Sequence, residues 1–70
     1  MDADGVVVGW RGLSLEVGER LGRPVGLSKV RHRVESSGLR VGRKLGGVLV
    51  FDESDLETAT RLVEEAGRRA

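Results

Sequence analysis

The sequence contains no cysteine and no tyrosine, one proline, one histidine and two aromatic side chains, Trp10 and Phe51. The absence of cysteine excludes a disulfide bond and a thiolate metal site. The single histidine, His32, cannot build a zinc site alone, because such a site takes about four ligands. No apolar run approaches the roughly 20 residues that a membrane-spanning helix needs. We therefore expect no metal, no cofactor and no membrane insertion.

The scarcity of reactive side chains also argues against an enzyme. No Gly-x-x-x-x-Gly-Lys-Ser/Thr loop is present, and no close pair of carboxylates has a base beside it. The first ten residues lack the basic stretch of a secretory signal peptide, and the absence of cysteine is typical of a cytoplasmic protein. We expect a cytoplasmic binding protein.

Charge is unevenly distributed along what we expect to be a single domain, residues 1–70. Residues 11–44 carry nine cations and three anions. The flanking segments are acidic, with net charges of −2 over residues 1–10 and −3 over residues 45–70, so the whole chain carries only +1. A basic block between acidic ends indicates a surface for a polyanion. On charge alone, an ordinary mixed surface is the alternative.

The first amphipathic segment predicts a helix capped by Ser14, because serine is a favoured N-cap residue. An apolar stripe recurs at i, i+4 and i+8, and consists of Leu13, Val17 and Leu21. Gly18 lies inside this helix, where glycine costs about 1 kcal/mol relative to alanine, so we expect a close helix–helix crossing there. Gly22 is a natural stop.

A second helix follows a short turn, and its outer face is polar. It begins near Leu27 or Ser28, runs through SKVRHRVESS and ends at Gly38. Its buried stripe consists of Leu27, Val30 and Val34. At about 100° per residue, the far side carries Ser28, Lys29, His32 and Ser36, with Arg31 and Arg33 flanking the stripe. Two helices joined by a short turn indicate a helix-turn-helix.

The segment after the second helix is typical of a β-hairpin. Leu39–Val41 and Val48–Phe51 are the predicted strands, and the glycine-rich stretch GRKLGG, residues 42–47, is the predicted tip. The tip carries two adjacent cations, Arg43 and Lys44. A plain hairpin turn is the alternative to a binding function. The run Val6–Val8 is either a small edge strand or a lead into the fold.

A last helix is predicted to start at Asp52, with Asp55 three residues later in the manner of a capping box. Its core stripe consists of Leu56, Ala59, Val63 and Ala66. The order of elements predicts an α+β fold of the winged helix-turn-helix type: a helix-turn-helix, a two-stranded β-hairpin wing and a C-terminal helix.

These motifs resemble the winged helix-turn-helix of the MerR and phage excisionase-like DNA-binding proteins. The likeness covers residues 13–63, with the runs SLEVGERLG, LSKVRHRVESSGLRVGRK and FDESDLE. Its most specific parts are Phe51, Asp52, Asp55 and Leu56 after a basic hairpin, and Ser28, Val30, Arg31 and Val34 in the second helix. The long coiled-coil helix of full-length MerR regulators has no counterpart, so the resemblance implies no small-molecule effector.

The resemblance implies a small bacterial or phage protein that binds double-stranded DNA, as a transcriptional regulator or as an excisionase-like recombination or phage control factor. The second helix would lie in the major groove, and the hairpin would be a basic wing on phosphates or in the minor groove. Self-association, including head-to-tail assembly on DNA, stays open. The implied DNA-binding residues are Ser28, Lys29, Arg31, His32, Arg33, Arg40, Arg43 and Lys44.

Two other functions stay open from the sequence. The run LSKVRHRVESSGLRVGRK also resembles the small RNA-binding motif of ribosomal proteins and pseudouridine synthases, although that motif does not account for FDESDLE and its helix. A protein-recruiting phage or plasmid adaptor is the second alternative. At the level of single residues, Arg31 or Arg33 can instead form an exposed ion pair with Glu35 or with the acidic last helix.

Overall fold

The computed structural model describes residues 6–69, except for the side chains of residues 68 and 69, and shows a small α+β fold. The elements follow in the order β1 (Val7–Val8), α1 (Gly9–Leu21), α2 (Leu27–Ser37), β2 (Arg43–Leu45), β3 (Val48–Phe51) and α3 (Glu53–Arg69). The predicted α+β class is confirmed. The sheet has three antiparallel strands in the order β1-β3-β2. β1 pairs with the second edge of β3, so of the two alternatives for Val6–Val8 the structure shows the edge strand.

The core lies between the three helices and one face of the sheet. Its buried residues are Leu13, Val17, Val30, Val34, Phe51, Leu56, Ala59 and Val63. Leu27 was predicted to belong to it but is 38% exposed. Helical side chains lean toward the N-terminus, so the side chain of this first residue of α2 extends past the end of the helix. None of the helices within residues 6–69 has the length and apolarity to cross a bilayer.

Helix α1 starts at Gly9, well before the predicted cap. Ser14 is buried inside the helix, and its hydroxyl donates to the carbonyl oxygen of Arg11 at 2.9 Å. The ring of Trp10 packs against that of Phe51, with 5.3 Å between the ring centroids. The prediction of Ser14 as the N-cap is therefore wrong, because packing of Trp10 extends the helix past the local preference of serine.

Gly18 marks a close approach, but of a turn and not of a second helix. A Cβ atom at Gly18 would lie 2.9 Å from the carbonyl oxygen of Arg23 and 3.4 Å from the backbone nitrogen of Val25. The amide of Arg23 donates to the carbonyl oxygen of Gly18 at 3.0 Å. The glycine thus allows the α1–α2 turn to fold back onto α1, and the predicted helix–helix crossing at this position is wrong.

The hairpin lies further along the chain than predicted. Leu39–Val41 is outside the sheet, and the first hairpin strand is β2, Arg43–Leu45. Gly46 and Gly47 alone form the turn, with φ of 58° and 83°. Two-residue turns with positive φ at both positions match the twist of a hairpin. The two cations of the predicted tip therefore belong to a strand.

The capping of the last helix agrees with the sequence. The carboxylate of Asp52 accepts a hydrogen bond from the amide of Asp55 at 2.9 Å, and the carboxylate of Asp55 accepts one from the amide of Asp52 at 3.0 Å. This reciprocal pair confirms the predicted capping box. The predicted ends of α1 at Gly22 and of α2 at Gly38 are also confirmed.

Candidate nucleic-acid interface

The outer face of α2 presents polar and cationic groups to solvent. Ser28, Lys29 and His32 are exposed, and none of their side chains has a hydrogen-bond or ion-pair partner within residues 6–69. Ser36 shares the face, but its hydroxyl donates to the carbonyl oxygen of His32 at 2.7 Å. Gly26 is the N-cap, so no side chain caps the first turn. The start of α2 therefore keeps the positive partial charge of its free N–H groups.

Arg31 lies at one edge of this face and has two partners. Its Nε atom lies 3.2 Å from Oε2 of Glu35, and its guanidinium carbon lies 5.8 Å from the ring centroid of Trp10. Both members of the ion pair are more than half exposed. The Arg31–Glu35 pair that the sequence left as an alternative is thus present in the structure.

Arg33 lies on the other side of the buried stripe of α2, facing α3. It is half-buried, and its Nε atom is buried without a hydrogen-bond partner. Arg33 lines two neighbouring clefts between α2 and α3, one with Leu62 and Glu65 and one with Val63. The structure therefore does not bring Arg33 together with Arg31 and His32.

The two hairpin cations lie on opposite faces of the sheet. Arg43 pairs with Val50 and Lys44 with Leu49 in the antiparallel register. Side chains alternate along a strand and cross-strand partners share a face. Lys44 therefore lies on the face that carries Phe51 and the helices, and Arg43 lies on the outer face. Both cations are exposed.

Arg43 also acts on the start of α3. The pKa of the Asp52 carboxyl lies below its ordinary value of 3.8, chiefly because the backbone N–H of Asp55 donates to the carboxylate. The positive charge of Arg43 lowers this pKa further, and partial desolvation opposes the shift. The outward strand residue Arg43 is thus in the electrostatic field of the capping box.

The structure does not bring α2 and the hairpin into contact. Within residues 6–69, α2 packs against α1 and α3, whereas β2 packs against β3 alone. Arg40 is exposed in the segment between α2 and β2. The predicted site residues therefore form three groups. The first is the outer face of α2 with Arg31, and the second is Arg33 in the clefts between α2 and α3. The third consists of Arg40, Arg43 and Lys44.

Two residues near these groups were missed by the sequence reasoning. Trp10 was not among the predicted site residues, yet its ring lies 5.8 Å from the guanidinium carbon of Arg31. Arg23, in the α1–α2 turn, lines the same cleft as Lys29 and Arg33. Its position in the sequence could have indicated this: Arg23 directly follows Gly22, which ends α1, and the turn is short enough to keep its side chain near α2.

Within residues 6–69, no group of three metal-ligating side chains lies close enough together to hold a metal ion. Comparison with known proteins gives no significant match to any family model, curated protein or solved structure. The residues themselves therefore carry the functional argument.

Proposed function

We propose that this chain is a winged helix-turn-helix domain that binds double-stranded DNA. Helix α2 enters the major groove, and the β2–β3 hairpin acts as a wing on the adjacent backbone. The observation that carries the proposal is the outer face of α2. Ser28, Lys29 and His32 are exposed there without side-chain partners within the described residues, on a helix that follows a short turn.

Arg31 is the residue that we propose for base recognition. An arginine that binds guanine through two hydrogen bonds contributes about 1–3 kcal/mol of discrimination. The exposed ion pair of Arg31 with Glu35 is of a kind that contributes about 0.3–0.5 kcal/mol. Because this ion pair is exposed and weak, Arg31 can leave Glu35 for a base edge.

The two aromatic residues favour duplex DNA over single-stranded RNA. Proteins that bind unpaired bases stack them on exposed aromatic rings. Phe51 is fully buried, and Trp10 packs between Phe51 and the guanidinium of Arg31. The sequence has no further Phe, Tyr or Trp. Neither Phe51 nor Trp10 therefore lies fully exposed as a stacking platform for unpaired bases.

The process that such a domain serves is a separate question. Transcriptional control, excision and DNA packaging all employ the same fold, so the fold does not choose among them. Selection of preferred duplexes from a random pool identifies the binding site, and the spacing of its half-sites reports whether the protein binds as more than one copy.

Anisotropy titrations with duplex DNA and with structured RNA, at about 50 and about 200 mM salt, test the proposal. We expect duplex binding that weakens steeply with salt, by about 0.9 in log–log slope for each phosphate contacted. Lys29→Gln combined with His32→Gln weakens this binding. Arg61→Gln, an exposed cation on α3 beside Glu57, is the matched control and leaves it unchanged. No duplex binding at low salt, or equal binding of RNA, contradicts the proposal.

A further inference from the structure

A cleft of about 360 Å³ lies between the α1–α2 turn, the start of α2 and the C-terminal half of α3. Arg23 of the turn and Lys29 and Arg33 of α2 line it, together with Gly26 and Gly67. No carboxylate of the described residues lines it. We refer to this space, defined by its three cations, as the cation cleft.

Among the described residues, no side chain neutralises the positive charge of the cation cleft. In the described part of the chain, the side chains of Arg23, Lys29 and Arg33 have no ion-pair or hydrogen-bond partner. The Nε atom of Arg33 is moreover buried, and a buried charged donor without an acceptor is destabilising. An anion with several oxygens would supply acceptors to all three cations.

The backbone around the cleft adds to the attraction for an anion. Gly26 is the N-cap of α2, with no side chain to satisfy the N–H groups of the first turn. A cap of this kind leaves positive partial charge at the helix start. On the opposite wall, Nη2 of Arg23 lies 3.5 Å from the position that a Cβ of Gly67 would occupy, so this guanidinium reaches across to α3.

We propose that the cation cleft binds a phosphate group. The tetrahedrally arranged oxygens of a phosphate group accept charge-assisted hydrogen bonds from several directions, which suits three separate cations better than a planar carboxylate does. A free phosphate or phosphate monoester carries up to two negative charges, and a backbone phosphodiester carries one. This inference deepens the proposed function and rests on it only for the source of the phosphate. On duplex DNA the occupant is a backbone phosphate, and a free phosphorylated compound offers the same chemistry.

The position of the cleft fits a DNA backbone beside the helix in the groove. Lys29 belongs both to the cleft and to the outer face of α2. Asp52, at the start of α3, marks the end of the helix near the hairpin, because the charge of Arg43 acts on its carboxyl. Val63, further along α3, lines the cleft. At 1.5 Å per residue, about 16 Å of α3 separates the two residues. This separation is of the order of the width of a major groove, about 12 Å.

The test is a titration of the whole chain with inorganic phosphate at constant ionic strength, followed by proton–nitrogen correlation NMR. Chloride and acetate are the matched anions. We expect saturable shifts of the Nε–H signal of Arg33 and of the backbone amides of residues 26–29. Arg23→Gln or Lys29→Gln weakens phosphate binding about tenfold. Arg61→Gln, in a different groove of α3, does not change it.

Gly26→Asp separates loss of the site from loss of the fold. Gly26 has φ −70° and ψ 145°, which aspartate adopts readily, and nothing lies within 4 Å of its Cβ position. The new carboxylate caps α2 and repels a phosphate in the cleft. We expect a higher melting temperature and phosphate binding weakened about tenfold. Gly26→Ser caps α2 without adding charge, and we expect it to retain more of the binding.

The outcomes are distinct. Shifts at the cleft with phosphate, and not with chloride or acetate, support the inference. Equal shifts with all three anions, or none with phosphate, overturn it whatever duplex DNA does. A duplex that shifts the same signals identifies the DNA backbone as the source. Phosphate binding without duplex binding keeps the cleft, identifies a free phosphorylated compound as the source, and contradicts the proposed function alone.

Discussion

The guanidinium carbon of Arg31 lies 5.8 Å from the ring centroid of Trp10, while its Nε atom lies 3.2 Å from a carboxylate oxygen of Glu35. One cation is thus shared between an anion of its own helix and the indole of the preceding helix. The electron-rich face of an indole attracts a guanidinium, as the carboxylate does. Trp10 is the only tryptophan, so its fluorescence reports on the position of Arg31.

We expect Glu35→Gln to strengthen DNA binding. The change removes a negative charge beside the proposed interface. It also removes the exposed ion pair with Arg31, which contributes about 0.3–0.5 kcal/mol and which DNA binding would otherwise have to break. That amount corresponds to duplex binding about twofold tighter. Anisotropy titration measures the affinity, and Trp10 emission reports the release of Arg31. Glu57→Gln, an exposed anion on α3, is the control. Weaker binding by Glu35→Gln would contradict the role of Arg31.

Gly18→Ala is expected to destabilise the fold although alanine favours helices. The new Cβ would lie 2.9 Å from the carbonyl oxygen of Arg23, which is backbone and cannot rotate away. Overpacking of this kind costs about 1–3 kcal/mol. Denaturant unfolding measures the change. Gly67→Ala is the control at another helical glycine, because its Cβ would lie 3.5 Å from Nη2 of Arg23, an ordinary contact with the end of a flexible side chain. Equal stability of the two variants would show that the turn is not packed against Gly18.

The capping carboxylate of Asp52 makes the folded state less stable as the pH falls into the acid range. A pKa lowered on folding means that Asp52 contributes stability above its unfolded value of 3.8 and loses it as the pH falls through the folded value. Asp52→Asn keeps a good N-cap but removes the charge. We expect its melting temperature to be lower than that of the unmodified chain at neutral pH, and the difference to shrink below about pH 4.

The same carboxyl tests the position of Arg43. Removal of a nearby positive charge raises the pKa of a carboxyl, so Arg43→Gln should raise the pKa of Asp52, followed by NMR titration of its side chain. Lys44→Gln, which removes the neighbouring cation on the opposite face, is the control and should leave the pKa of Asp52 unchanged. An unchanged Asp52 pKa in Arg43→Gln would place Arg43 away from the capping box.

The alternation of the hairpin cations predicts unequal roles in DNA binding. Lys44 shares the sheet face of the helices, whereas Arg43 lies on the outer face near Asp52. We expect Lys44→Gln to weaken binding to all duplexes and to reduce the salt slope by about one contact. Arg43→Gln should reduce it less. If neither variant nor the double variant changes the slope, the hairpin is not a wing.

The elements that the sequence predicted correctly are those whose signals are local. Asp52 and Asp55 are three residues apart and bond to each other. Val30 and Val34 lie one turn apart on one stripe and are buried. Such features depend on neighbours within one helical turn, so their spacing is visible in the chain.

The misplaced elements depend on contacts that are distant in sequence. Trp10 extends α1 because Phe51 lies against it. The segment Leu39–Val41 was predicted to be a strand. The two-residue turn at Gly46 and Gly47 fixes the register of the hairpin and leaves that segment outside it.

Charge and helical spacing selected the residues of the candidate site, but they did not predict how these residues are grouped in space. Helical spacing placed Arg31 and Arg33 on opposite flanks of one stripe, yet it could not show that one would meet Trp10 and the other α3. Arg23 was not selected at all, because its role depends on how the turn folds against α3. Packing between helices decides these neighbours.

The two-residue strand β1 protects one side of β3 through the pairs Val7–Phe51 and Val8–Val50. A shortened chain beginning at Gly9 would leave those backbone amides and carbonyls open, in the arrangement from which strands of separate molecules add to one another. Two valines, Val7 and Val8, thus decide whether this edge of β3 is paired within the molecule or left open to another chain.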